Sequence, residues 1–173
     1  MGVKRDWYTV GGKRYYFKSG GEVKVAEYLE FLKQIGEIKE WSYEPKTFKF
    51  TEIQKGTLVY HPDFLITYEE QNPEYQPPRF LDVDERYTTP AFIIKHRWWE
   101  VKFGYMTQKA VTQLRRMSIY YPEETIILVV DRIPLVRTRK GKLNVFRQKI
   151  DQASKYVERV LDLSTTDFFK GRK

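Results

Sequence analysis

The chain has no cysteine, so disulfides and cysteine-based zinc sites are excluded. It has no run of 18 apolar residues, so no membrane-spanning helix is expected. Its first ten residues, MGVKRDWYTV, hold no apolar signal core. Export is therefore not expected, and a cytoplasmic location is. Internal repeats and low-complexity tracts are also missing. The two histidines, His61 and His96, are isolated from each other, and a lone histidine is ordinarily a surface or hydrogen-bonding residue.

Aromatics and positive charge are abundant. Of the 173 residues, 41% are hydrophobic and 16% aromatic, which argues against disorder and for one domain with a sizeable core. The net charge of +8 favours a polyanionic partner, because each Lys or Arg set against a phosphate releases counterions. A basic protein that is merely soluble remains the alternative on charge alone.

Residues 7–18, WYTVGGKRYYFK, predict a hairpin around Gly11-Gly12. In SGGEVKVAEYLEFLKQIGEIKEW, Val25, Tyr28, Leu29, Leu32 and Ile35 recur at helical spacing, with Ser19 as cap and Gly36 as terminator. WSYEPKTFKF, residues 41–50, predicts a strand with Pro45 marking an edge or bulge. TLVYHPDFLITYEE predicts another, interrupted at Pro62. QNPEYQPPRF is loop by its prolines, and the stretch 70–98 is expected to project as an insertion. FIIKHRWWEVKF predicts a strand and MTQKAVTQLRRMSIYY a helix. TIILVV has the composition of a strand buried on both faces. A basic stretch, residues 132–149, and a helix through QASKYVERVLDL close the chain. The order is helix, three strands, helix, strand, with a hairpin before and a helix after. That alternation predicts an α/β fold, a mixed sheet flanked by helices.

Glu100-Val101-Lys102 is the most informative tripeptide. Residues two apart on a strand point to the same face, so Glu100 and Lys102 share one. Asp63, after Pro62 on an earlier strand, is a second carboxylate able to meet them. Two carboxylates with waters and a substrate phosphate are a common magnesium set, and the Val101 carbonyl is a candidate further ligand. A bound cation activates water and neutralises charge in phosphodiester hydrolysis. Lys102 is a candidate to orient or deprotonate that water, or to steady the pentavalent charge.

The PD at Pro62-Asp63 and the EXK at Glu100-Val101-Lys102, with the helix that carries Glu22 ahead of them, resemble the PD-(D/E)XK nuclease superfamily. The segment from Ser19 to about residue 131 is similar to phage endonuclease I-type Holliday junction resolvases and related small phage proteins. The hairpin of residues 1–18 and the segment 132–173 lie outside the resemblance. It implies a restriction-endonuclease-like core in an αβββαβ order. It implies catalytic residues Glu22, Asp63, Glu100 and Lys102, and Mg2+ (replaceable by Mn2+) on Asp63, Glu100, the Val101 carbonyl and Glu22. It further implies an endodeoxyribonuclease acting on branched DNA, working as a homodimer and located in the host cytoplasm if phage-encoded. Two departures stand out: the long segment between Asp63 and Glu100, and Phe103-Gly104 where relatives often carry Gly directly after the Lys.

Other roles exist for each residue. Ser19-Gly-Gly-Glu22 has capping-box spacing, Asp63 can cap a turn after Pro62, and Glu100 with Lys102 fits an exposed strand face. Gln113 is either a support for the metal site or a helix-surface residue. The pairs Trp98-Trp99, Tyr15-Tyr16 and Tyr120-Tyr121 are candidates for base stacking, or for core on one side and surface on the other. Lys109, Arg115, Arg116, Arg137, Arg139, Lys140, Lys142 and Arg147 are candidate DNA contacts. Two alternatives to a junction nuclease remain open: a catalytically inactive DNA-binding module of the same fold, and a nuclease acting on DNA ends or single strands.

Overall fold

The computed structural model describes residues 5–75 and 90–170. A hairpin comes first, β1 (Asp6–Val10) and β2 (Lys13–Phe17). Its turn needs positive φ at both central residues, and Gly11 (φ 57°) and Gly12 (φ 75°) supply it. Alternation along each strand sends Val10 and Phe17 into the core and leaves Trp7 and Tyr16 outside. The hairpin is therefore part of the core, more than a simple addition to it.

Helix α1 (Gly20–Gln34) follows. Ser19 caps it by accepting the Glu22 amide. Gly36 (φ 81°) ends it in a Schellman arrangement, the Gly36 and Glu37 amides returning to the carbonyls of Lys33 and Leu32. Strand β3 (Glu40–Tyr43) stops where Glu44 adopts φ 44° ahead of Pro45. The single strand expected over 41–50 is thus two pieces. The second, β4 (Phe48–Lys49), pairs with β5 (Val59–Tyr60) in a separate two-stranded ribbon.

Strands β6 (Phe64–Gln71) and β7 (Phe92–Lys102) form a long antiparallel hairpin. Both ends of the expected 70–98 insertion are therefore strand, and residues 76–89 of it lie outside the described residues. Helix α2 (Gln108–Tyr120), capped by Thr107, leads to β8 (Ile126–Val130), all five residues of which are buried. The series α1, β3, β6, β7, α2, β8 matches the expected order of helix, three strands, helix and strand.

The C-terminal segment departs from expectation. The helix is α3 (Val145–Ala153), capped by Asn144; it begins inside the basic stretch and continues as a 3-10 turn at Ser154–Tyr156, so only the start of the expected helix is helical. Arg159–Asp162, expected as helix, is strand β9, parallel to β8. The edge of β8 offers a free ladder, and Val160 and Leu161 pack on opposite faces of the sheet, a period of two that a helix does not provide. A short helix, α4 (Asp167–Lys170), ends the described chain.

The main sheet is ordered β3-β6-β7-β8-β9, antiparallel across its first three strands and parallel thereafter. One face holds Trp99, Val101, Ile127 and Val129 under α1 and the N-terminal hairpin. The other holds Trp98, Leu128 and Val130 under α2 and α3. Trp98 and Trp99 are thus core on both sides of the sheet, and neither is a stacking surface. Among the described residues, no helix is long and apolar enough to cross a membrane.

Candidate active site

Strand register brings the two acids together. Phe64 pairs with Trp99 in the antiparallel ladder, so continuing the register by one step sets Asp63 opposite Glu100, on the same face. The Val101 amide donates to Asp63 Oδ2 at 2.7 Å. The Asp63 carbonyl accepts the Glu44 amide at 2.9 Å, so the kink that ends β3 also anchors this residue. Glu100 is buried, and its Oε2 accepts the Tyr60 hydroxyl at 2.7 Å.

Lys102 lies between the acids. Its Nζ stands 2.6 Å from Glu100 Oε1 and 4.0 Å from Asp63 Oδ2, and it donates to the Val101 carbonyl at 3.0 Å. One ammonium therefore faces two sequestered carboxylates. Burial pushes the Asp63 carboxyl well above the usual range, and the neighbouring Glu100 pushes it further; Lys102 and the Val101 amide only partly oppose this. For Lys102, burial works against the charge, but Glu100 and Asp63 outweigh it and hold the ammonium above its ordinary value. Without a bound cation, Lys102 serves the two carboxylates as their counter-ion. Burial and Glu100 likewise keep Tyr60 a hydroxyl donor.

Glu100, Val101 and Lys102 open onto a cleft of about 600 Å³ whose walls also include Glu22, Lys109 and Gln113. Glu22 is buried and largely engaged. Its carboxylate accepts the Lys18 amide (2.8 Å), the Ser19 hydroxyl (2.8 Å) and the Tyr43 hydroxyl (2.5 Å). The capping arrangement and the place in the cleft wall thus coexist in one residue. Gln113 donates to the Val59 carbonyl at 3.2 Å, tying α2 to the ribbon that holds Tyr60. Gly21 sits against Phe103: a Cβ there would lie 2.9 Å from the ring, so the phenylalanine after Lys102 is accommodated by the absence of a side chain on α1.

The candidate DNA contacts divide. Lys109 lines the cleft, and Arg139, Lys140 and Lys142 line an adjoining groove. Arg115 is exposed on α2, outside the cleft wall. Arg116 donates to the Thr57 carbonyl and lies over Phe50, Arg137 closes a turn onto the Gly141 carbonyl at 2.8 Å, and Arg147 pairs with Asp151 at 2.8 Å. Those three arginines have partners within the fold. His61 and His96 bond Thr47 and Thr67 at the surface.

Sequence reasoning missed Tyr43 and Tyr60, the hydroxyl partners of two of the acids. It also missed Arg5, Lys18 and Lys24 in the cleft wall. Tyr60 carried a faint signal, three residues before Asp63. Arg5 and Lys18 carried none, because the hairpin between them brings its two ends to the same place.

The donor set suits a hard cation. Among the described residues no group of three or more His, Asp or Glu side chains is placed to hold a metal. Two buried carboxylates and the Val101 carbonyl, however, are what magnesium takes when it keeps several waters. The excess of carboxylate over ammonium favours a further positive charge at this point. Comparison of the chain with protein-family models, curated proteins and solved structures found no match.

Proposed function

We propose that this protein is a magnesium-dependent endodeoxyribonuclease with a restriction-endonuclease-like core, hydrolysing phosphodiesters in branched DNA such as four-way junctions. The observation that carries this reading is the convergence of Asp63, Glu100 and Lys102 beside a cleft that Glu100 and Lys102 line together with Arg5, Lys18, Lys24 and Lys109. Asp63, Glu100 and the Val101 carbonyl would hold the cation. When bound, it would activate a water and neutralise charge on the phosphate under attack. Lys102 supplies a fixed ammonium toward the oxygens that gain charge in the transition state. Tyr60 holds Glu100 by its hydroxyl and so fixes one ligand's orientation. The surrounding cations attract the DNA backbone. Symmetric cutting of a junction requires two active sites, hence a twofold homodimer, and a phage-encoded enzyme of this kind would work in the host cytoplasm.

The test is a panel of labelled DNAs (four-way junction, flap, overhang, single strand, blunt duplex) incubated with Mg2+, Mn2+ or EDTA. Junction cleavage that needs the cation is expected, with Mn2+ substituting for Mg2+. Tight junction binding without cleavage under every condition would instead favour a binding-only module.

Glu22 supports this site through its neighbours. Glu22→Gln keeps one acceptor oxygen for the Lys18 amide and the Tyr43 hydroxyl but removes a negative charge felt by both Asp63 and Lys102. The Mg2+ concentration for half-maximal cleavage is expected to rise by roughly 10-fold, typical of a partner one step removed from a metal. A Mg2+ titration of the cleavage rate reads this directly; an unchanged curve would leave Glu22 a cap alone.

A further inference from the structure

A second concavity shares a wall with the active cleft. The chain leaving β7 turns at Gly104 (φ 72°) and presents Tyr105, which is 71% exposed. Tyr105 lines both the cleft and an adjoining groove of about 640 Å³. The floor of that groove is apolar, built from Met106, Leu143, Val145 and Phe146, and its rim carries Arg139, Lys140 and Lys142. Among the described residues these three cations have no side-chain hydrogen bond or ion pair, unlike Arg137 and Arg147 beside them.

The rim is a built feature. Residues 136–144 fold back on themselves: the Thr138 amide donates to the Lys142 carbonyl (2.8 Å), the Gly141 amide to Thr138 (2.9 Å) and the Asn144 amide to Val136 (2.8 Å). Arg137 and Leu143 form the bridge between the arms. The turn brings Arg139, Lys140 and Lys142 together with Leu143 into the lining of the groove.

We propose that this groove seats an unpaired DNA nucleotide next to the phosphate to be cut. The proposal rests on the nuclease reading and narrows its substrate to DNA with an unstacked base at the cleavage site. The base lies on the Tyr105 ring and over the apolar floor, and its phosphate meets the basic rim. A paired base has both faces covered by its neighbours and offers no surface for this contact; an unpaired one at a branch, flap or overhang does. The other candidate occupant is a second copy of the chain. The charge opposes it, since a copy with a net charge of +8 would have to approach three uncompensated cations.

The experiment measures binding of the full-length protein in EDTA, where no cleavage occurs. Two duplexes of equal length and charge are compared by fluorescence anisotropy, one blunt and one with a short 3′ or 5′ overhang carrying 2-aminopurine at the unpaired position. The wild type is expected to prefer the overhang by about 10-fold, the usual scale of one base-on-aromatic contact, with the 2-aminopurine emission quenched on binding. Tyr105→Ala is expected to reduce overhang binding to the blunt-duplex level, and Tyr105→Phe to keep the preference. Doubling Lys140→Ala with Lys142→Ala should flatten the salt dependence of overhang binding. Equal affinity for the two duplexes, or a preference that survives Tyr105→Ala, overturns the assignment. So does a concentration-dependent dimer that Tyr105→Ala disrupts. Cleavage is scored separately in Mg2+. Failure to cut any DNA sinks the nuclease reading, whereas intact cleavage without the overhang preference sinks this groove alone.

Discussion

Lys102→Ala is expected to lower junction cleavage by about 10²–10³-fold, the usual loss when one fixed donor to a developing charge is removed, and to destabilise the metal-free protein. The second effect follows from what remains. Asp63 and Glu100 would face each other in a buried position with no cation between them, and breaking a buried pair by removing one partner costs about 3–5 kcal/mol. The lower end applies, because 23% of the Lys102 side chain is exposed. Urea unfolding in EDTA reads the stability, and single-turnover cleavage of a labelled junction reads the rate. A variant that cuts as fast as the wild type would trace the activity to a contaminant or to another site.

Asp63→Asn is expected to move the same two readouts in opposite directions. Cleavage falls by at least about 10³-fold, because a cation ligand worth several kcal/mol of charge stabilisation is lost. Stability without metal rises by about 1 kcal/mol, within the range seen when a strained functional group is relieved. The amide oxygen can still accept the Val101 amide, so the backbone contact survives while the like-charge contact with Glu100 does not. The pH dependence gives an independent check. Burial and Glu100 raise the folded-state pKa of Asp63 above its unfolded value. Between those two values the folded state binds more protons than the unfolded one, so stability falls as pH rises through the window. That window opens just above the ordinary carboxylate value of about 4. Unfolding midpoints in EDTA should therefore decline with rising pH in the wild type, and less so in Asp63→Asn. Magnesium should stabilise only the wild type, by mass action on the folded state.

The main arrangement of the site was legible because it is short-range in the strand direction. Glu100 and Lys102 share a face by simple alternation, and Asp63 joins them through one hairpin register. Ser19 and Gly36 marked the ends of α1 by cap and by positive φ, and TIILVV announced a strand covered on both sides. What was not legible depends on distant parts of the chain. The basic stretch after residue 131 masked a helix, since Asn144 as a cap is a weak mark amid seven cations. Arg159–Asp162 is strand only because β8 leaves a ladder open beside it. The hydroxyls of Tyr43 and Tyr60 reach Glu22 and Glu100 over separations of 21 and 40 residues. Arg116, Arg137 and Arg147 looked like free cations until their carbonyl and carboxylate partners were visible.

The long antiparallel hairpin sets the candidate site well apart from the junction of its far ends. Asp63 and Glu100 meet at its root, whereas Gln71 and Phe92 pair at the other end, eight residues along β6, or about 26 Å away. The ladder between them fixes the root whatever length or sequence joins the far ends. On the proposed function, a tag, a fluorophore carrier or a further recognition segment inserted between Gln71 and Phe92 should leave the rate of bond cleavage unchanged, and chains that diverge from this one should have done so most freely there.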